Sequence, residues 1–456
     1  MLVFKEILKI KYLLLFEIFV LIIFFKFGLK PSLLVFSIVP LIILFKLTFD
    51  NLLFGIHIVT FSIILDALFP LKNYSSGPSV LIAEGVFLFF TIIIFLKISS
   101  SKSFDLNSSR IVEQWLLFLA WSLIIGLLVA VNQFRIITYW KNYFAGFLVF
   151  MVILNNIKTK DDIKLFIISI LIWSLSLSLI ELKILYDLGG LTQGLFGLFM
   201  KKNLLSVGWG KSNYLAAFYV LIIPIAIGSF YYFKSKKWKI LLIPLIMLMI
   251  FGIMITLSRG GIIALFISVF ILFTRILKRK TILSFLVIVI IISLVIFLNP
   301  LTNILFTRIS SFETTGSYFS RINFYMEVWA AFLKNPLTGV GIGNLSYYST
   351  FIIPAHGAPS AHNIILGALG EIGLIGSIFY FLIFSLLIIE NIKNYRAETN
   401  ESIKILQWSF FSAIIGALLH SMVEPIFEGF QFSIMFWIVA GLSLQLDKIK
   451  VSYTQP

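Results

Sequence analysis

The chain has 456 residues, of which 60% are hydrophobic and only 12% charged, with a formal net charge of +16 and no cysteine. A soluble domain carries about 25% charged residues, so an ordinary soluble globular protein is excluded. Without cysteine, so are disulfides, thiolate catalysis and cysteine metal sites, and no nucleic-acid partner is expected.

Runs of about 20 apolar residues, each long enough to cross the ~30 Å hydrocarbon layer as a helix, recur from end to end. The N-terminus carries Lys5, Lys9 and Lys11 before the apolar stretch Tyr12–Gly28. Glu17 and Lys26 interrupt that stretch and no small-residue cleavage site follows, so it reads as a retained first helix rather than a signal peptide. In chain order, fourteen segments are predicted near 12–28, 32–48, 51–70, 79–99, 111–131, 139–157, 163–183, 213–233, 240–257, 261–275, 282–298, 363–389, 405–422 and 430–446. The second and third could form a hairpin that dips without spanning, which gives twelve. A spanning segment must satisfy its own backbone hydrogen bonds, and runs such as Ile282–Leu298 do not alternate as barrel strands do. The expected fold is all-α, a polytopic transmembrane helix bundle of 12–14 helices forming one domain over 1–456.

Short basic loops orient the bundle. Lys234, Lys236, Lys237 and Lys239, then Arg275, Lys278, Arg279 and Lys280, belong on the cytoplasmic side. The stretches 132–138, 184–212 and 299–362 then face outward. That outer side still holds about a dozen basic residues, counter to the usual bias. Among them are Arg135, Lys141, Lys201, Lys202, Lys211, Arg259, Arg308 and Arg321. They are either surface charge at lipid head groups or a site for a polyanion such as a lipid diphosphate.

The 299–362 loop has its own order. Ile322, Tyr325, Met326, Trp329, Phe332 and Leu333 recur at helical spacing over Arg321–Asn335, and Pro336 stops the run. This predicts an interfacial helix on the outer leaflet. Gly339, Gly341 and Gly343 predict a tight turn. With no strand before it and no helix opening from it, that turn is not a nucleotide fingerprint.

Few residues can carry chemistry. Ser258-Arg259-Gly260-Gly261 interrupts two apolar runs. Arg259 either snorkels to the interface or offers a planar fork to a phosphate, with the glycines letting a ligand approach the backbone. Arg321 is either a solvated helix-end charge or a second phosphate contact. His362 lies where the long loop enters a membrane helix, and a place in the first turn would disfavour imidazolium and leave a neutral base. His356 is the competing base, whereas His57 reads as packing. Glu371 lies below His362 on the same helix and needs a partner, either an arginine or a buried polar contact. Glu424 and Glu428 sit at the turn between the last two helices. Tyr325, Trp329, Tyr347 and Tyr348 could stack on sugar faces or serve as an aromatic belt. No metal motif is evident, and Asp161-Asp162 reads as a helix N-cap.

Three blocks now fall in order: Ser258-Arg259-Gly260-Gly261; Arg321 with Trp329 and Asn335-Pro336-Leu337-Thr338-Gly339-Val340-Gly341; and Ala361-His362-Asn363 with Leu369-Gly370-Glu371-Ile372-Gly373. Over roughly 210–430 the chain resembles the O-antigen ligase and O-antigen polymerase superfamily. Gly210 and Asn213-Tyr214-Leu215-Ala216 resemble the segment before the first block. The resemblance implies a GT-C-like glycosyltransferase of the bacterial inner membrane, with its active site on the periplasmic or outer face. It would move a glycan en bloc from undecaprenyl diphosphate to an acceptor hydroxyl, without cofactor or metal and with inversion. The acceptor is another lipid-linked glycan in a polymerase, which is slightly favoured, or lipid A–core in a ligase. Membrane lipids and a chain-length regulator are the further partners implied. By that likeness Arg259 and Arg321 hold the diphosphate and His362 activates the acceptor, with Glu371, Glu424, Tyr325 and Trp329 as further substrate contacts.

Two alternatives remain. A transporter or flippase would show inverted repeats and broken helices at mid-membrane, which are not visible. A peptidoglycan polymerase of the shape, elongation, division and sporulation type would be expected to carry an outer-loop aspartate, and 299–362 contains none.

Overall fold

The computed structural model describes residues 38–68, 82–100, 109–190, 202–207, 209, 211–278, 319–348 and 361–446. The predicted spans 12–28 and 282–298, His356, Arg308 and the side chain of Arg321 lie outside the described residues. Among the described residues there are thirteen α-helices and no strand, and nine of the helices are long and apolar enough to cross a membrane. The fold is the all-α polytopic bundle that hydropathy requires. Where the sequence reads as one domain, chain contacts divide it into two compact units, 1–105 and 106–456.

The first unit contains α1 (Ile38–Asp50), α2 (Leu52–Leu68) and α3 (Ile82–Ser100). Its charged groups sit at helix ends, where backbone groups lack intrahelical partners. Lys97 Nζ donates to the Phe49 carbonyl at the end of α1 (2.6 Å). Asp66 Oδ1 accepts the Ala83 N–H at the start of α3 (3.3 Å).

The second unit contains α4 (Arg110–Val129), α5 (Gln133–Asn156), α6 (Lys160–Asp187), α7 (Ser212–Tyr232), α8 (Lys236–Ile255), α9 (Arg259–Ile276), α10 (Phe319–Lys334), α11 (Ile364–Ala397), α12 (Glu401–Ser421) and α13 (Phe430–Gln445). Helix α7 is buried along most of its length and packs against α12, α8 and α9. Apolar burial does not by itself pair helices in lipid, so close backbone approach must. A Cβ on Gly228 would lie 2.2 Å from Ser409 Oγ, so α7 and α12 touch there as only glycine allows. Trp115, Phe150, Phe384 and Trp437 form an aromatic core joining α4, α5, α11 and α13.

Two local readings change. Helix α5 begins at Gln133 rather than 139, capped by Asn132, whose side chain accepts from Arg135 N. The cap of α6 is Thr159, and Asp162 returns the bond as the third residue of a capping box.

Helix α11 is broken at Gly373 (φ 66°, ψ −173°). A helix broken in a membrane must find new partners for the freed backbone groups, and the segment after α10 supplies them. Val340 N–H donates to Gly370 O (3.0 Å), Gly341 N–H to Glu371 O (2.8 Å) and Leu374 N–H to Pro336 O (2.8 Å). Trp121 Nε1 donates to Ile372 O (3.1 Å). The fit leaves no room for side chains: a Cβ on Gly373 would lie 2.3 Å from Leu337 O, and one on Gly339 2.4 Å from the Glu371 carbonyl carbon. The glycine turn and the Leu369–Gly373 block are therefore two halves of one backbone joint. All three turn glycines have positive φ, as the tight turn requires.

Helix α10 packs through Val328 and Ala331, which are buried, while Met326, Trp329 and Leu333 are exposed. Its apolar stripe points away from the bundle, as an interfacial helix in contact with lipid requires.

Candidate functional site

The turns 130–132, 256–258 and 422–429, the loop 336–348 and the start of α11 share one end of the second unit. Asn132 N–H donates to Asn344 Oδ1 (2.8 Å) and Asn132 Nδ2 to Tyr347 OH (2.8 Å), tying the loop to the α4–α5 turn. Arg135 reinforces the same tie. It donates to Gly343 O and Ser346 Oγ and lies over the Tyr347 ring. Arg135 is a clamp on the loop, and Tyr347 is a partner in that clamp.

His362 precedes α11 rather than lying in its first turn. Asn363 is the N-cap, its Oδ1 accepting from Ile365 N (2.9 Å) and Leu366 N (3.0 Å). Asn363 Nδ2 donates to Met422 O (3.1 Å), which fastens this corner to the turn after α12. His362 takes a left-handed conformation (φ 45°), uncommon for a residue with a Cβ. Its Nδ1 lies 3.3 Å from Glu424 Oε2, and the Phe324 ring stacks at 6.4 Å. A carboxylate facing Nδ1 can fix the orientation of the ring, and which nitrogen donates depends on the tautomer.

A pocket open to the outside, whose about 540 Å³ of empty space includes the open solvent at its mouth, lies beneath His362. His362, Glu371, Glu424 and Glu428 line it, with Phe118, Tyr143, Tyr380 and Phe427. Glu371 Oε1 accepts the Gly343 N–H (3.0 Å), so of its two expected roles it takes the buried polar contact. It also bolts the glycine turn to α11 through a side chain. The turn carrying Glu428 is held by Asn142 Nδ2, which donates to Glu428 O (2.7 Å). Withdrawal from solvent pushes the Glu428 carboxyl up to about 7, with Lys211 pulling it down and Glu424 adding to the rise. Glutamates widely separated in sequence thus meet in one place. Among the described residues no group of three His, Asp or Glu side chains has the spacing to hold a metal ion.

Arg259 is exposed at the first position of α9. Ser258 is the N-cap and accepts from Gly261 N (3.3 Å). The glycines serve packing: a Cβ on Gly260 would lie 2.5 Å from Val423 Cγ2, and one on Gly261 2.9 Å from Ala216 Cβ. They seat the start of α9 on α7 and on the turn bearing Glu424. Tyr325 and Trp329 are on α10 and do not line the pocket; Trp329 packs against Phe332. The aromatic neighbour of His362 is Phe324, on a face of α10 that the apolar stripe does not mark. The pairing of His362 with Glu424 spans 62 positions, and no local pattern signals it. In the sequence the walls Phe118, Tyr143 and Tyr380 are indistinguishable from ordinary span residues.

Residues 244–381 match the O-antigen ligase family. No curated protein matches the chain. The matched stretch runs from α8 through the α9 start, the glycine turn and His362 to beyond the Gly373 break, so it contains the joint, His362 and Glu371, while Glu424 and Glu428 lie beyond it.

Proposed function

Starting from a chain that carries an O-antigen ligase domain in a multi-pass membrane bundle, we propose that it is a glycosyltransferase moving a glycan en bloc from undecaprenyl diphosphate to an acceptor hydroxyl. The reaction occurs on the outer face of a bacterial inner membrane, and the acceptor is another lipid-linked glycan, so that the product is an O-antigen or related surface polysaccharide. The observation that carries this is the His362–Glu424 pair at the mouth of a pocket lined by Glu371 and Glu428. The opposite end of the bundle bears the basic loops, and the positive-inside rule makes that end cytoplasmic.

In this reading His362 Nε2 takes the acceptor proton as the acceptor oxygen attacks the anomeric carbon. The bond from that carbon to the phosphate oxygen breaks on the opposite face, giving inversion. Undecaprenyl diphosphate leaves with the electron pair. Glu424 holds the imidazole and stabilises the imidazolium formed. Arg259 and Arg321 offset the charge that develops on the diphosphate, the role preorganised cations fill best in a site of low dielectric. Glu371 and Glu428 offer acceptors to sugar hydroxyls, while Tyr325 and Trp329, outside the pocket on the interfacial helix, meet the glycan only before it enters. No divalent ion is required.

The test incubates purified protein with lipid-linked repeat units, with and without lipid A–core, in EDTA. A ladder formed without lipid A–core supports the polymerase. Product only with lipid A–core makes the protein a ligase, and loss of activity in EDTA restored by magnesium overturns metal independence. No transfer to either acceptor, with lipid movement instead, favours a flippase.

A further inference from the structure

Buried polar atoms in folded proteins are nearly always hydrogen-bonded, and an exception calls for a missing partner. His420, at the end of α12, is fully buried, and neither ring nitrogen has a hydrogen-bond partner among the described residues. Its position is specific. A Cβ on Gly260 would lie 3.5 Å from His420 Cδ2 and 3.7 Å from Nε2, and one on Gly261 3.4 Å from Cε1. These three atoms are the Nε2 edge of the ring, so that edge faces the first turn of α9. The first N–H groups of a helix have no acceptor within the helix and carry the positive end of its dipole, which favours an anion. Arg259 stands exposed on the same turn. Gly260 places no side chain over the ring; Val423 Cγ2 packs 2.5 Å from where its Cβ would be, so Val423 has to move for a ligand to reach the ring.

We infer that His420 is a further binding residue for a phosphate group, donating through Nε2 to a diphosphate seated on the first turn of α9 beside Arg259. This rests on the reading of Arg259 as a diphosphate contact and adds a buried donor to it. The donor and the base are then coupled. Glu424 N–H donates to His420 O (3.1 Å), and Glu424 also faces His362, so a shift of His420 on binding the donor reaches the general base through one residue.

The test measures binding of farnesyl diphosphate to the purified full chain, with farnesyl monophosphate and phosphatidylglycerol as the other arms. His420→Phe, of similar size and apolar, should weaken the diphosphate about 10- to 100-fold, the usual worth of a hydrogen bond to a charged group. His420→Gln should recover most of that loss, and binding of phosphatidylglycerol should not change. If His420→Phe does not fold, His420→Leu and His420→Gln carry the comparison. Wild-type affinity in His420→Phe or His420→Leu alongside a weakened Arg259→Ala would make His420 packing only, with the Arg259 reading intact. Unchanged affinity in Arg259→Ala, or no binding of farnesyl diphosphate by the wild type, would overturn the diphosphate reading itself and the inference with it.

Discussion

The two ends of the second unit hold polar residues in opposite ways. Toward the end with the basic loops, Asn391, Gln407 and Ser443 form a buried cluster that satisfies itself. Gln407 Nε2 donates to Asn391 Oδ1 (2.8 Å), Asn391 Nδ2 to Ser443 Oγ (3.0 Å), and Gln407 Nε2 also to Ser443 O (3.1 Å). Neutral groups on α11, α12 and α13 bond one another, and the result is glue. At the other end His362, Glu371, Glu424 and Glu428 are ionisable, line an open pocket and sit on broken or turning backbone. The ring nitrogens of His420 have no hydrogen-bond partner among the described residues. A membrane interior tolerates polar groups when they are closed on themselves or when function holds them open. The contrast separates the two cases within one bundle.

The sharpest way to break the contrast is at His362. His362→Ala should lower transfer by about 10²–10⁴-fold, the usual worth of a general base, while thermal unfolding and donor binding stay near wild type. Near-normal turnover would make the site end structural too. Next comes the joint. Gly373→Ala forces a Cβ into positive φ against Leu337 O and should cost about 3 kcal/mol or more. A fall in melting temperature measures it, with activity lost in proportion to the misplaced glycine turn. On the glue side, Asn391→Leu removes one of the two acceptors of Gln407 Nε2 and the donor to Ser443 Oγ, and should cost about 1–3 kcal/mol. Turnover below the melting transition should be unaffected, and a selective loss of turnover would erase the distinction between the two ends. Arg259→Lys and Arg321→Lys should each weaken turnover by roughly tenfold through loss of the planar fork. Full activity in both would leave the diphosphate without its proposed cations.

The smallest effect at neutral pH is expected at Glu428. Its carboxyl is raised from 4.5 to about 7 by withdrawal from solvent, so the folded state binds this proton more tightly than the unfolded chain. The stability tied to that proton is complete below about 4.5 and is lost as pH rises through about 7. Glu428→Gln, which mimics the protonated form, should flatten the fall in melting temperature across that window. An unchanged slope would place the pH dependence elsewhere.

Hydropathy alone determined that the chain is an all-α membrane bundle, because about 20 apolar residues in lipid have no other backbone solution. The order of short motifs was enough to suggest the family, and residue type singled out Arg259, His362, Glu371 and Glu424 as chemistry-bearing, because an ionisable group beside a membrane is rarely idle. The apolar stripe of Tyr325, Met326 and Trp329 marked a helix but not its inner face, since lipid and protein interior reward the same residues. Only the tertiary structure decided what each motif is for. The Gly339–Gly343 turn and the Gly370–Gly373 break are each unexplained alone and make one joint when docked, through backbone atoms that no residue identity reports. His362 and Glu424 meet across two helices, and His420 differs from any buried histidine only in what surrounds it. Periodicity records how a segment meets lipid; pairing and orientation depend on where distant segments cross, and that is settled by close packing at glycines and by freed backbone groups finding partners.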